Sequence, residues 1–85
     1  MLHEKTICAL ATSGSGAIAV IRVSGPDTFP VMEKLFTPSS GKQKLGERPP
    51  WTVHYGTIGE NGEIIDEVLG SIFRAPHSYT GEDSV

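Results

Sequence analysis

The sequence predicts an α+β domain: a small, mostly antiparallel sheet built from two hairpins, with one helix. Three observations lead there. Runs of strand-forming residues recur at "KTICALAT", "AIAVIRVS", "WTVHYGTIG" and "IIDEVLGSIFRAP", the last three rich in β-branched and aromatic side chains. The segment "TFPVMEKLF" carries the apolar spacing of a helix. The resulting order, strand, strand, helix, strand, strand, is that of an α+β domain with one sheet and one helix.

Taken in order, residues 5–12 predict a first strand with Ile7, Cys8 and Leu10 inside. Residues 17–24 are the strongest strand signal, and "SGSG" between the two reads as a hairpin turn. Gly25 and Pro26 stop the second strand, and Asp27 or Thr28 caps the helix that follows. That helix places Phe29, Met32, Leu35 and Phe36 on one face. Pro30 is tolerated because it falls in the first turn, whose N–H groups lack intrahelical partners. The stretch 37–50, with Lys42, Lys44 and Arg48 against Glu47, reads as a solvated connection. Residues 51–59 and 64–76 then form a second hairpin around Asn61-Gly62, both of which accept positive φ. Gly70 is expected to mark a bulge, and "HSYTGEDSV" is loop-like.

Composition narrows the function. The 85 residues suffice for one small domain, and 38% apolar with 20% charged content argues for a folded one. A net charge of −3 without a basic stripe speaks against tight nucleic-acid binding by this chain alone. One cysteine, Cys8, excludes an intrachain disulfide and fits a reducing, cytosolic setting. It reads as a buried small hydrophobe. No signal peptide is expected, and no stretch approaches the ~20 apolar residues of a membrane span.

The glycines of "ATSGSGAIAV" invite a phosphate-loop reading. Such loops need a lysine and a following helix, whereas here no lysine is present and a strand follows. A tight connection between strands accounts better for Gly14 and Gly16. Arg22 stands out instead. On a strand it shares a face with Ile18 and Val20, and an arginine on an apolar face needs a partner. Either a carboxylate such as Asp66 or Glu67 satisfies it, or it lines a pocket for an acidic ligand. His3, His54 and His77 are too scattered for a local metal site. Asp66 and Glu67 are adjacent, so on a strand they face opposite sides. Ser78, Tyr79 and Thr80 read as ordinary loop residues, and no nucleophile–base pair is visible.

Several stretches together resemble one family. "ATSGSGAIAVIRVSGPD", "NGEIIDEVL" and "PHSYTGEDSV" are similar, in this order and separation, to the start of the tRNA modification GTPases called MnmE or TrmE. The last matches a Pro-x-Ser-Tyr/Phe-Thr-Gly-Glu-Asp-Val-(Val/Leu)-Glu motif, with Ser84 where that motif has valine. The resemblance implies that residues 1–85 are an N-terminal tetrahydrofolate-binding and dimerisation domain, incomplete at its C-terminal end. Its fold would be similar to the folate-binding part of the glycine-cleavage T protein. The implied ligand is 5-formyl-tetrahydrofolate or a related folate, and the arginine of the family's site maps onto Arg22. A glutamate of that site falls one residue beyond Val85, and a lysine lies further on. The implied parent is a cytoplasmic homodimer that hydrolyses GTP with magnesium and potassium in a separate domain. With the flavoprotein MnmG (GidA) it modifies the wobble uridine of tRNA. This chain alone carries no GTPase motif. A pure assembly module without folate binding and a stand-alone folate-dependent aminomethyl-transfer protein are the rival readings.

Overall fold

The chain opens with β1 (Ile7–Leu10) and β2 (Ile21–Ser24), paired antiparallel with Ile7 opposite Ser24 and Leu10 opposite Ile21. The computed structural model describes residues 5–12, 18–78 and 81–85. The expected roles of His3, Gly14, Gly16, Tyr79 and Thr80 therefore lie outside the described residues. After β2 come α1 (Thr28–Leu35), β3 (Phe36–Pro38), a short 3₁₀ turn (Leu45–Glu47), β4 (Val53–Glu60) and β5 (Glu63–Ser71). The α+β class holds, with every strand pairing antiparallel.

There are two small sheets rather than the single sheet expected. One is β1-β2 and the other β3-β4-β5. The added strand is β3: the helical face ends at Leu35, and Phe36 already pairs with Ile58. What joins the sheets is the segment read as a loop. Val23 and Val85 exchange both backbone hydrogen bonds at 2.9 Å, and Ser84 and Phe73 do the same at 2.9 Å. A short length of extended chain thus lies between β2 and the continuation of β5.

The core forms where α1 meets these strands. Val23, Phe29, Met32, Phe36, Leu45 and Ile72 are buried together, with Val68 and Val85 against them. Three of the four residues predicted for the helix face belong to it, and Leu35 is half-buried. Asp27 takes the N-cap position without a side-chain cap bond. The Thr28 hydroxyl instead reaches the Gly25 carbonyl at 2.9 Å and the Asp83 carbonyl at 3.0 Å.

Gly25 and Gly56 are dictated by contact. Gly25 has φ +137° and lies so close to β1 that a Cβ would fall 2.5 Å from Thr6 Cα. Gly56 receives the Phe36 ring, and a Cβ there would meet Thr37 O at 2.3 Å. The bulge expected at Gly70 is instead at Ile58/Gly59, where Ile65 of β5 is left over in the register. The Asn61-Gly62 turn is as expected, with φ of 54° and 80°. Cys8 is exposed, not buried. Alternation marks which side of a strand prefers cover, and here nothing described covers either side of β1.

Candidate functional site

Parts of two stretches that carry the resemblance, "RVSG" at 22–25 and "GEDSV" at 81–85, meet in space. Besides the Val23–Val85 pair, Gly25 N–H donates to the Asp83 carbonyl at 3.0 Å. Ser24 stands opposite Ser84, which also pairs with Phe73. Ser24, Glu82 and Ser84 are buried. The Asp83 carboxylate accepts from Ala75 N–H at 2.9 Å, fixing the approach to the block. About sixty residues of chain separate the blocks, so proximity in sequence does not account for the contact.

Arg22 lies at the edge of this junction. It pairs with Ala9 of β1 and is half-buried. Its apolar neighbours are in the open, since Ile18 and Val20 are both exposed. The expected face exists, but no described residue closes it into a pocket. The two carboxylates weighed as partners for Arg22 have other contacts on β5. Asp66 Oδ1 accepts from Glu67 N–H at 2.7 Å. The Glu67 carboxylate accepts from the Tyr55 hydroxyl, and that bond raises the Tyr55 pKa above its ordinary value, with burial and the Glu67 charge adding to it. A recess of about 280 Å³ lies elsewhere, between Glu33 of α1, β3 and the loop 41–45, and does not include Arg22.

A second polar centre had no signal in the sequence. Arg48, expected on a solvated loop, is buried. Its Nε donates to Gln43 O at 3.1 Å, and its NH2 donates to Ser40 O at 2.8 Å and Gln43 O at 3.0 Å. Its NH1 lies 3.1 Å from His54 Nδ1. A guanidinium only donates, so Nδ1 accepts and the neutral imidazole carries its proton on Nε2. That nitrogen is 2.8 Å from Thr52 Oγ1, whose own proton goes to Pro49 O at 2.6 Å. Arg74 adds bonds to the Gly46 and Arg48 carbonyls and stacks 4.5 Å from the Phe29 ring centroid. Together these hold loop 40–48 so that Leu45 plugs the core. Lys42 and Lys44 remain exposed, as expected.

A profile of the family described as "GTP-binding protein TrmE N-terminus" matches residues 6–85. The chain belongs to the TrmE N-terminal family. Among its relatives, the tRNA modification GTPase MnmE of Bacteroides fragilis is 52% identical over 83 residues, covering 98% of this chain and 18% of the relative. The protein of the same name from Christiangramia forsetii is 54% identical over 86 residues, covering all of this chain and 18% of the relative. That of Carboxydothermus hydrogenoformans is 47% identical over 87 residues, covering 99% and 19%. The chain thus spans about a fifth of the curated relatives it matches. Among the described residues of this TrmE N-terminal chain, no group of three metal-ligating side chains forms. His54 is engaged as above, and His77 pairs with Arg74 in a backbone bridge. No described helix is long and apolar enough to cross a membrane.

Proposed function

We propose that this chain is the N-terminal tetrahydrofolate-binding and dimerisation domain of a tRNA modification GTPase. The parent acts in the cytoplasm on the wobble uridine of tRNA, together with the flavoprotein MnmG. GTP, magnesium and potassium belong to another domain of that parent. This part binds 5-formyl-tetrahydrofolate or a close derivative, on a fold related to the folate-binding part of the glycine-cleavage T protein.

The observation that carries the reading is the junction of the two blocks. Val23 pairs with Val85 in antiparallel register, so a residue following Val85 in that register stands opposite Arg22. The glutamate that the family resemblance implies at that position then lies beside the guanidinium. Folates carry a glutamate tail and a polar pterin ring. Arg22, half-buried and flanked by apolar Val20, suits either of them: a planar fork of donors for oxygen or ring nitrogen, and apolar surface for the ring face. Arg22 binds and orients the folate, and the one-carbon chemistry belongs to the bound folate.

The test is a titration of 5-formyl-tetrahydrofolate onto the full-length parent and its Arg22→Ala form. Saturable binding weakened by the substitution supports the reading. A dimer that shows no folate binding at all returns the chain to a pure assembly role.

A further inference from the structure

Of the chain's three histidines, His54 is the one set into a polar junction. On β4 it lies opposite Gly70 of β5, which has no side chain to crowd the ring. Both ring nitrogens are engaged: Arg48 NH1 is 3.1 Å from Nδ1, and Thr52 Oγ1 is 2.8 Å from Nε2. A guanidinium offers no acceptor, so the Nδ1 contact requires the neutral ring. A protonated imidazole has two donors and no acceptor. Its charge would also face a guanidinium that is only 7% exposed, where repulsion is weakly screened. The surroundings do not compensate. Neither described hydrogen bond of the ring is to a carboxylate. β3 carries no titratable residue. Glu33 of α1 accepts from Gly46 N–H at 2.9 Å, and Glu47 of the loop accepts from Lys44 N–H at 2.9 Å. Arg74, bonded to the Gly46 and Arg48 carbonyls, is a second cation at this junction. Lys42 and Lys44 of the loop are exposed.

We propose that the Arg48–His54 pair is a proton-sensitive latch on loop 40–48. Proton uptake by His54 removes the acceptor that Arg48 NH1 uses and turns a hydrogen bond into a like-charge contact. Arg48 is the partner that gives way, because the His54 backbone is fixed in the β4–β5 ladder. The same guanidinium binds the Ser40 and Gln43 carbonyls through Nε and NH2. Pushed off the ring, it loosens the loop that it ties down. That loop carries Leu45 into the core. Residues 41–45 also wall the recess of about 280 Å³, together with Glu33 and β3. Release of the latch therefore withdraws Leu45 and opens the recess, while the β4–β5 ladder stays paired. The opening is local.

The test follows the nitrogen resonances of the His54 ring and the amide exchange of the loop in the unaltered chain. Gly46, Glu47 and Arg48 are the reporters, since their N–H groups bond to Glu33 or within the loop. Both are recorded from about pH 8 to about pH 5, the interval in which imidazoles titrate, with exchange corrected for its intrinsic pH dependence. Protection of the three amides is expected to fall at least about tenfold as the ring takes up its proton, with one shared midpoint. The β4–β5 ladder amides should stay protected. His54→Asn, which takes up no proton, should hold the loop equally at both ends of the interval. His77→Asn, at an exposed histidine, should leave the loss in place. Protection that persists to about pH 5, a midpoint that differs from that of the ring, or a loss that survives in His54→Asn overturns the latch. Loss of the ladder amides at the same midpoint also overturns it, because the opening would then be global. The comparison of midpoints needs no variant, so it decides even where His54→Asn does not fold.

Discussion

At the scale of single residues, chemistry is set by what a donor is given to donate to. Arg48 lies on a polar-looking stretch and Arg22 on an apolar strand, and the roles argued for them differ. Arg48 is spent on carbonyls of its own loop and on His54, so it is structural. Arg48→Ala is expected to lower stability by about 2–3 kcal/mol in urea denaturation, because it removes the part-buried bonds to Ser40 O, Gln43 O and His54 together. Arg48→Lys should recover little of that, as an ammonium cannot reproduce the fork. His54→Asn keeps an acceptor near the Nδ1 position and should be milder than His54→Leu. For Arg22 the proposed role is toward a ligand. In the full-length parent, Arg22→Ala should weaken folate binding by about 2 kcal/mol, or about thirtyfold. If Arg22 served only to pair with Asp66 or Glu67, Tm would fall without ligand and folate affinity would hold. Tyr55 supplies the pH dependence. Its pKa is raised by the bond to Glu67, so the folded state favours the protonated phenol. The stabilisation is complete below the unfolded value near about 10 and is lost as pH rises through the higher folded value. An ultraviolet titration of Glu67→Gln should bring the Tyr55 transition to lower pH.

At the scale of elements, the legible parts were those written in local chemistry. The helix face is visible because Phe29 and Met32 are spaced for it. The β4–β5 hairpin is visible because Asn61 and Gly62 both take positive φ. Three features were not legible, each for a physical reason. The burial of Arg48 depends on backbone carbonyls, which every residue carries and no pattern marks. The exposure of Cys8 depends on whether anything covers β1, which alternation does not encode. The tail 81–85 reads as loop because extended chain that pairs for only two or three residues lacks strand composition. Arg22 itself was legible as a charged residue on an apolar face, but its place beside the chain end was not. Gly25 shows how narrowly one such junction is built. Its φ of +137° and its approach to Thr6 both exclude a side chain, so Gly25→Ala should cost about 2 kcal/mol or more. Thermal unfolding measures this, and Gly62→Ala is the control for backbone strain alone, because nothing lies within 4 Å of a Cβ there.

At the scale of the whole molecule, the fold depends on its last few residues. The β1-β2 sheet and the β3-β4-β5 sheet do not share a ladder. Residues 83–85 connect them through five backbone bonds: two with Val23, two with Phe73 and one with Gly25. The Thr28 hydroxyl adds a sixth bond at the start of α1, and Val85 packs on the core. At about 1 kcal/mol net for each bond, the segment contributes as much as a small domain's entire margin of roughly 5 kcal/mol. A chain ending at Glu82 is therefore expected to lose cooperative unfolding, not merely to melt a few degrees earlier. Circular dichroism should show its helix and β4–β5 signals decaying gradually with temperature, and amide exchange should lose protection throughout β2. A sharp transition near that of the unshortened chain would mean that the two sheets are held together elsewhere. The same dependence links stability to the candidate site. In the proposed reading a residue following Val85 stands opposite Arg22, so a folate held there would tighten the junction between the sheets. Addition of 5-formyl-tetrahydrofolate to the full-length parent should accordingly raise protection of Val23 and Gly25 amides, and Arg22→Ala should abolish that rise.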